Sequence, residues 1–300
     1  MDLDALGGCL VSTACLVTQT TSGLIAGLLL FLVAAGLTLI FGVLKVVNFA
    51  HGTFYMMGGY VAYTVMQQTG HYGLAVILAG VAMAVFGVFF ERALIARVYG
   101  QDVLMQLLVC YAVVLIFDDV VKIVWGADFL AMGMPPAFQV PPLFIAGGIV
   151  PPFYLVLIVI ALLIAATLAL GLGKTRLGKI ITAAAHNPGM VSALGINTNA
   201  LFALVFAVGG ALAGLAGGLA APVRSLTAGM GFSVLIESFI VTVIGGMGSI
   251  AGALLAAIGI GLIRGFGTIG FPTFTDGLIY LAMIAILVLR PTGLFGREVV

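Results

Sequence analysis

The chain of 300 residues is 63% hydrophobic and only 7% charged, with 11 basic side chains, 10 acidic side chains and three histidines. A soluble globular domain carries about 25% charged residues, so most of this chain cannot face water; it reads as an integral membrane protein, which excludes a secreted enzyme or a disordered chain. The net charge of +1 offers no attraction to a nucleic acid, and Cys9, Cys15 and Cys110 are too few and too scattered for a disulfide framework or a zinc site; no metal or cofactor is expected.

Asp2 and Asp4 open the chain with no basic run before the first apolar stretch, so a cleaved signal peptide is not expected. Leu6-Gly7-Gly8-Cys9 has the form of a lipoprotein cleavage box but stands too early and lacks its basic start. A span needs about 20 apolar residues, and the predominantly apolar runs predict helices near 22–44, 53–69, 73–90, 103–124, 152–172, 200–221 and 277–290. The remaining apolar stretch, 232–264, has 33 residues interrupted by Gly245-Gly246-Met247-Gly248-Ser249. Two full spans need about 40 residues, so it is one long span or two shorter helices meeting at the glycines. The total is eight to nine spans in an all-α polytopic bundle. The largest polar insert is 173–199, so residues 1–300 read as one membrane domain and any energy source lies on another chain.

Basic residues orient such a chain, because loops rich in Lys and Arg stay in the cytoplasm. The loop 91–102 holds Arg92 and Arg97, the insert 173–199 holds Lys174, Arg176 and Lys179, and the tail holds Arg290 and Arg297. The 125–151 loop has Asp128, Trp125 and a set of prolines but no Lys or Arg, so it reads as external. A cytoplasmic tail requires the stretch 232–264 to cross twice, which favours the split at the glycines. The N-terminal end has no basic residue, and its side stays open.

Several segments carry more than apolarity. Val47-Asn48-Phe49-Ala50-His51-Gly52 sets polar side chains and a glycine between two apolar runs. Polar groups inside a bilayer usually face a protein interior or a water-filled route. Asn48, His51 and Gly52 are therefore candidates for a translocation path; the alternative is a capping Asn48 and a His51 satisfied by a neighbouring helix. Asp118 and Lys122 are i,i+4 neighbours that can pair near a helix end, with a proton relay as the sharper alternative. Gly173-Lys174-Thr175 lacks the earlier glycine of a phosphate-binding loop, since that position is Leu168. Gly210, Gly214 and Gly218 give a flat face for close helix contact. In the insert, a basic start leads to Ala183, Ala184 and Ala185, then Asn187-Pro188, a short helical stretch 189–194 and Gly195 as a C-cap. Two short helices with such small residues predict a compact cytoplasmic knob that docks a soluble partner.

Phe41-Gly42-Val43-Leu44-Lys45-Val46-Val47-Asn48-Phe49-Ala50-His51-Gly52 resembles the first signature of LivH-type permeases, the membrane subunits of ABC importers for branched-chain amino acids. The knob, ending Leu194-Gly195-Ile196-Asn197, resembles the family's coupling segment. Ile244 to Ala253 and Arg290-Pro291-Thr292-Gly293-Leu294-Phe295-Gly296 resemble two further signatures, in family order. The resemblance implies a permease that imports Leu, Ile or Val, with a fold similar to the larger, vitamin-importer type of ABC membrane domain. It implies a LivM-like second permease, two ABC ATPase subunits, an external solute-binding protein and an inner-membrane location, with no catalysis by this chain. It also implies that Ala183, Ala184, Ala185, Asn187 and Gly195 receive the ATPase stroke, and that Gly245, Gly246, Gly248 and Ser249 let helices bend or pack. Related systems carry urea, short amides and other small polar solutes, which the signatures do not separate. The chain departs from the family pattern at Gly189, where relatives often carry an acid, and at Glu237, to which no role is assigned. Two rival classes are an ATPase-independent secondary transporter, for which no inverted repeat is evident, and a passive channel.

Overall fold

The computed structural model describes residues 3–296. Asp2 and Arg297 lie outside the described residues. Helices α1 (Leu3–Val11) and α2 (Thr13–Leu44) are followed by α3 (His51–Thr69) and α4 (Tyr72–Phe90). A π turn at Glu91–Ile95 carries α4 into α5 (Ala96–Val98), so most of the predicted 91–102 loop is helical. Then come α6 (Val103–Trp125), the strands β1 (Leu143–Ile145) and β2 (Gly148–Val150), and α7 (Pro152–Lys174). The short helices α8 (Arg176–His186) and α9 (Pro188–Ala193) precede α10 (Thr198–Ala220), α11 (Met230–Gly245), α12 (Ile250–Gly270) and α13 (Thr275–Leu289).

Six of these elements, counted among the described residues, are long and apolar enough to cross a membrane: Thr13–Leu44, Tyr72–Val98, Pro152–Lys174, Thr198–Ala220, Ile250–Gly270 and Pro272–Leu289. The chain is thus a multi-pass helical membrane protein. Helix α11 has 16 residues, about 24 Å of rise, and falls short of a standard span. The chain does break at the glycines, as the split of 232–264 requires.

Helix α2 is the axis of the core. Every residue from 27 to 40 is buried, and a helix apolar all round is one surrounded by others. Helices α10, α11, α12 and α7 pack around it. Gly23 and Gly27 of α2 let α12 approach backbone to backbone: a Cβ on Gly23 would stand 2.6 Å from the Gly261 carbonyl oxygen. The predicted flat face of α10 works the same way. A Cβ at Gly214 would lie 2.6 Å from the Ala79 carbonyl oxygen of α4, and Gly58 of α3 abuts the same glycine. Without a hydrophobic force between helices in lipid, such close backbone packing is what holds them.

The bundle is all-α as expected, and three details are added or changed. First, β1 and β2 in the 125–151 loop form a small antiparallel hairpin, with Leu143 opposite Val150, turned by Ala146 and Gly147 at positive φ, as a two-residue hairpin loop requires. It lies on the start of α2, where Thr13 Oγ1 donates to the Ala146 carbonyl at 3.2 Å and the Ile149 N–H donates to Thr18 Oγ1 at 3.1 Å. Secondly, Cys9 and Cys15 are joined in a disulfide across the elbow between α1 and α2; a single local bridge needs no framework. Thirdly, Lys122 pairs with Asp119 at 2.9 Å, not with Asp118. Asp118 turns inward and leaves its Oδ1 buried without a partner. The i,i+3 and i,i+4 spacings are equally reachable, and burial of one carboxylate decides between them.

Candidate functional site

The first candidate segment is the break between α2 and α3. Helix α2 ends when Lys45 adopts φ +57°, with its N–H donating to the Phe41 carbonyl at 2.9 Å. A left-handed conformation disfavours any residue bearing a Cβ by about 1–2 kcal/mol, so this end is held by its surroundings. Asn48 then turns the chain: its Oδ1 accepts from the Ala50 N–H at 3.0 Å, a local Asx turn. The chain re-enters a helix at His51, far below the end of α2 in register, since His51 lies against Gly36 and bonds to Val33.

His51 is fully buried, and its Nε2 lies 3.1 Å from the Val33 carbonyl oxygen. A carbonyl only accepts, so Nε2 carries the proton and Nδ1 is left as an acceptor. That Nδ1, the Asn48 Nδ2 and the Thr53 Oγ1 are all buried without a hydrogen-bond partner. Each such group costs about 1–3 kcal/mol when left unsatisfied. Gly52 is the closest approach in the region: a Cβ there would overlap the Gly231 carbonyl oxygen of α11. Asn48, His51 and Gly52 are thus brought together in a tight polar break.

The second segment is the knob. Thr175 caps α8 by accepting from the Gly178 N–H at 3.0 Å, and Asn187 caps α9 by accepting from the Met190 N–H at 2.9 Å. Gly195 ends α9 at φ +82°, with its N–H on the Ser192 carbonyl at 2.9 Å, and nothing approaches the position of a Cβ there. Of the three alanines, Ala183 is exposed and Ala185 half-buried, whereas Ala184 is 1% exposed and packs into the chain's own core. Ala184 therefore cannot touch a docked partner directly. Helix α8 buries Gly178, Ile181 and Ala184 at helical spacing. The outward apolar side chains of the knob are Leu177, Met190 and Leu194, the last two 65% and 74% exposed; small-residue reasoning passed over them.

The third segment is the glycine turn. Gly246 and Gly248 have φ of 96° and 91°, and Ser249 caps α12 by accepting from the Gly252 N–H at 3.1 Å. A Cβ on Gly245 would stand 2.5 Å from the Ala253 amide nitrogen. The tail folds back over this turn: the Leu294 N–H donates to the Ile244 carbonyl at 2.8 Å and the Phe295 N–H to Gly245 at 3.1 Å. Two segments some 50 residues apart in sequence are thereby one unit.

A cavity of about 900 Å³ joins these parts. Its walls include Thr38 and Lys45 at the end of α2, Thr182 and His186 on the knob, and Gly248 and Ser249 of the turn. None of Asn48, His51 and Gly52 lines it; they sit deeper in the packed region. The structure also reveals an ionic tie that sequence spacing could not show. Arg264 of α12 forms a bidentate pair with Glu237 of α11 at 2.8 and 3.0 Å, and reaches Asp276 of α13 at 3.1 Å. Arg264 thus ties three helices together.

Residues 19–287 match the family described as the branched-chain amino acid transport system / permease component. The chain belongs to that family. It is 30% identical to the high-affinity branched-chain amino acid transport system permease protein BraD of Pseudomonas aeruginosa, over 93% of this chain and 95% of the relative. It is 26% identical to the corresponding permease protein LivH of Escherichia coli K12, with the same coverage. A probable LivH of Methanocaldococcus jannaschii is 29% identical, over 90% of this chain and 89% of the relative. No solved structure matches the chain significantly. As a member of this family, the chain is a permease component of a transport system.

Proposed function

We propose that this chain is the membrane-spanning permease of an ABC importer that moves Leu, Ile or Val into the cell, with ATP hydrolysed on separate subunits and no covalent chemistry here. The observation that carries this reading is the family match along residues 19–287. Its partners are a LivM-like permease, two ABC ATPases and an external solute-binding protein, and its home is a bacterial inner membrane. The fold is read as one permease unit of the larger, vitamin-importer type.

Nine crossings follow, by α2, α3, α4, α6, α7, α10, α11, α12 and α13, from an external N-terminal end to a cytoplasmic tail. The Cys9–Cys15 disulfide supports that start, because disulfides persist in oxidising compartments. The packing of the β1–β2 hairpin on the same end of α2 agrees with an external 125–151 loop. With this orientation the basic segments at 92–97, 174–179 and 290 all fall inside.

The large cavity then opens on the cytoplasmic side between knob and turn. Asn48, His51 and Gly52 form the constriction above it, where buried polar atoms without partners stand ready for water or solute when the helices part. The exposed Met190 and Leu194 support an ATPase footprint on the knob, since bare apolar side chains on an aqueous face mark a docking surface. ATP binding drives transport only if it favours one permease state over the other; the knob, which walls the cavity, is the lever. Gly245, Gly246, Gly248 and Ser249 anchor the tail and serve close packing at the hinge.

The test is leucine uptake into proteoliposomes holding the chain with its partner subunits and loaded binding protein. ATP-dependent uptake is expected. Uptake by the chain alone, without any ATPase, overturns the importer reading, and a preference for urea or short amides overturns the substrate.

A further inference from the structure

A second cavity, of about 620 Å³, lies on the outer flank of the bundle between α7 and α10. Its walls are almost wholly apolar: Leu163 and Leu168 of α7, Leu204 and Val208 of α10, with Leu39 of α2 at its floor. The knob closes its inner end through Leu177 and Ile181 of α8. Helix α7 stands away from its neighbours here, and most of its apolar surface faces outward. Gly178 allows α8 to fold tightly under the end of α7; a Cβ there would overlap the Leu172 carbonyl oxygen.

Directly at this inner end stand Lys174, Arg176 and Lys179, all exposed and none in an ion pair among the described residues. No acidic residue occurs between Asp128 and Glu237, so nothing on the adjoining helices neutralises them. We infer that this groove is a binding site for one anionic glycerophospholipid, with an acyl chain lying between α7 and α10 and the phosphate headgroup held by Lys174, Arg176 and Lys179.

Two properties of the groove select this occupant. The groove is long, apolar and within the helical span, which fits a hydrocarbon chain. Its mouth is cationic at the level where lipid phosphates lie, and each basic side chain near an anionic surface contributes about 1 kcal/mol. A neutral phospholipid matches only the first property. Because Leu177 and Ile181 belong to the knob, the lipid would form one wall of the coupling segment, so its presence would set how α8 sits on α7. The inference borrows from the proposed orientation only the leaflet, the inner one.

The experiment uses the assembled transporter in nanodiscs that carry traces of phosphatidylglycerol or phosphatidylcholine with a photoreactive acyl chain. The lipid assay works whether or not the complex imports leucine, so it can fail independently of the functional reading. Phosphatidylglycerol should cross-link to α7 and α10 with a preference of roughly tenfold over phosphatidylcholine, the order that one to two basic groups supply. The triple variant K174Q/R176Q/K179Q should equalise the two lipids, and Leu168→Trp, which fills the groove, should lower labelling by both. Equal labelling of wild type by the two lipids overturns the inference without any variant. So does labelling spread evenly over the outer surface, or a disulfide between Leu163→Cys and a cysteine on the partner permease, which would make the groove a subunit interface.

Discussion

Gly52 and Gly195 mark two opposite environments in one chain. At Gly52 the backbone of α11 presses against the helix break, and no atom fits where a Cβ would go. At Gly195 the surroundings are open, and the glycine is needed only for its φ of +82°. The same contrast separates the regions they represent. The core around α2 is locked by backbone-to-backbone contacts and leaves His51 Nδ1, Asn48 Nδ2 and Thr53 Oγ1 without partners. The knob is two short capped helices that bury Ile181, Ala184 and Val191 and leave Met190 and Leu194 bare. On the proposed function, the tight region is the barrier and the knob with its bare apolar side chains is the part another protein grips.

The largest effect should come from a methyl group at the tight site. Gly52→Ala forces α3 and α11 apart, an overpacking of order 3 kcal/mol, and the assembled complex should nearly vanish from membranes. Normal complex levels would show that the break yields easily and would end the contrast. Next is His51→Leu, which removes one hydrogen bond to Val33, worth about 1 kcal/mol, and also removes the unpartnered Nδ1. Complex levels should hold while leucine uptake drops several-fold; unchanged uptake would return His51 to a packing role.

In the knob, Gly195→Val costs roughly 1–2 kcal/mol locally through its left-handed backbone. It should lower substrate-stimulated ATP hydrolysis while sparing assembly and capture by the external binding protein. Loss of assembly equal to that of Gly52→Ala would erase the distinction between the regions. The smallest effect concerns the outer end. In intact cells an impermeant maleimide should label the half-buried Cys15 only after an impermeant reductant, with Cys110 silent because it is buried, and uptake should barely change when both cysteines of the bridge become serine. Labelling that requires permeabilised cells would place the N-terminal end inside and reverse the topology.

Helix positions were legible because long runs without charge stand between Lys45 and Glu91 and between Asp128 and Lys174. The start of α2 was not. Thr18 and Thr21 look polar in sequence, yet their hydroxyls bond back to the Ala14 and Val17 carbonyls at 3.0 and 2.8 Å and travel inside the helix. The capping roles of Asn187 and Gly195 could be read from residue type and order. The inward turn of Ala184 could not be assigned from size, because an alanine suits a partner's cleft and the chain's own core equally; only the spacing Gly178, Ile181, Ala184 indicated it. The tie among Glu237, Arg264 and Asp276 joins three helices, and nothing along the sequence marks which charges will meet. Likewise, the cavity that gathers Lys45, His186 and Ser249 arises from three segments distant in sequence.

The most direct test of the account replaces the bare apolar side chains of the knob. Met190→Asp combined with Leu194→Asp alters exposed positions, where a substitution changes intrinsic stability by about 0.5 kcal/mol or less, so the permease itself should remain folded in the membrane. The measurement is ATP hydrolysis by the reconstituted complex with and without loaded binding protein, beside binding-protein affinity for leucine. The account predicts that stimulation and leucine uptake are lost together while that affinity is unchanged. Full stimulation and full uptake in this variant would contradict it, because the knob would then not be where the ATPase takes hold.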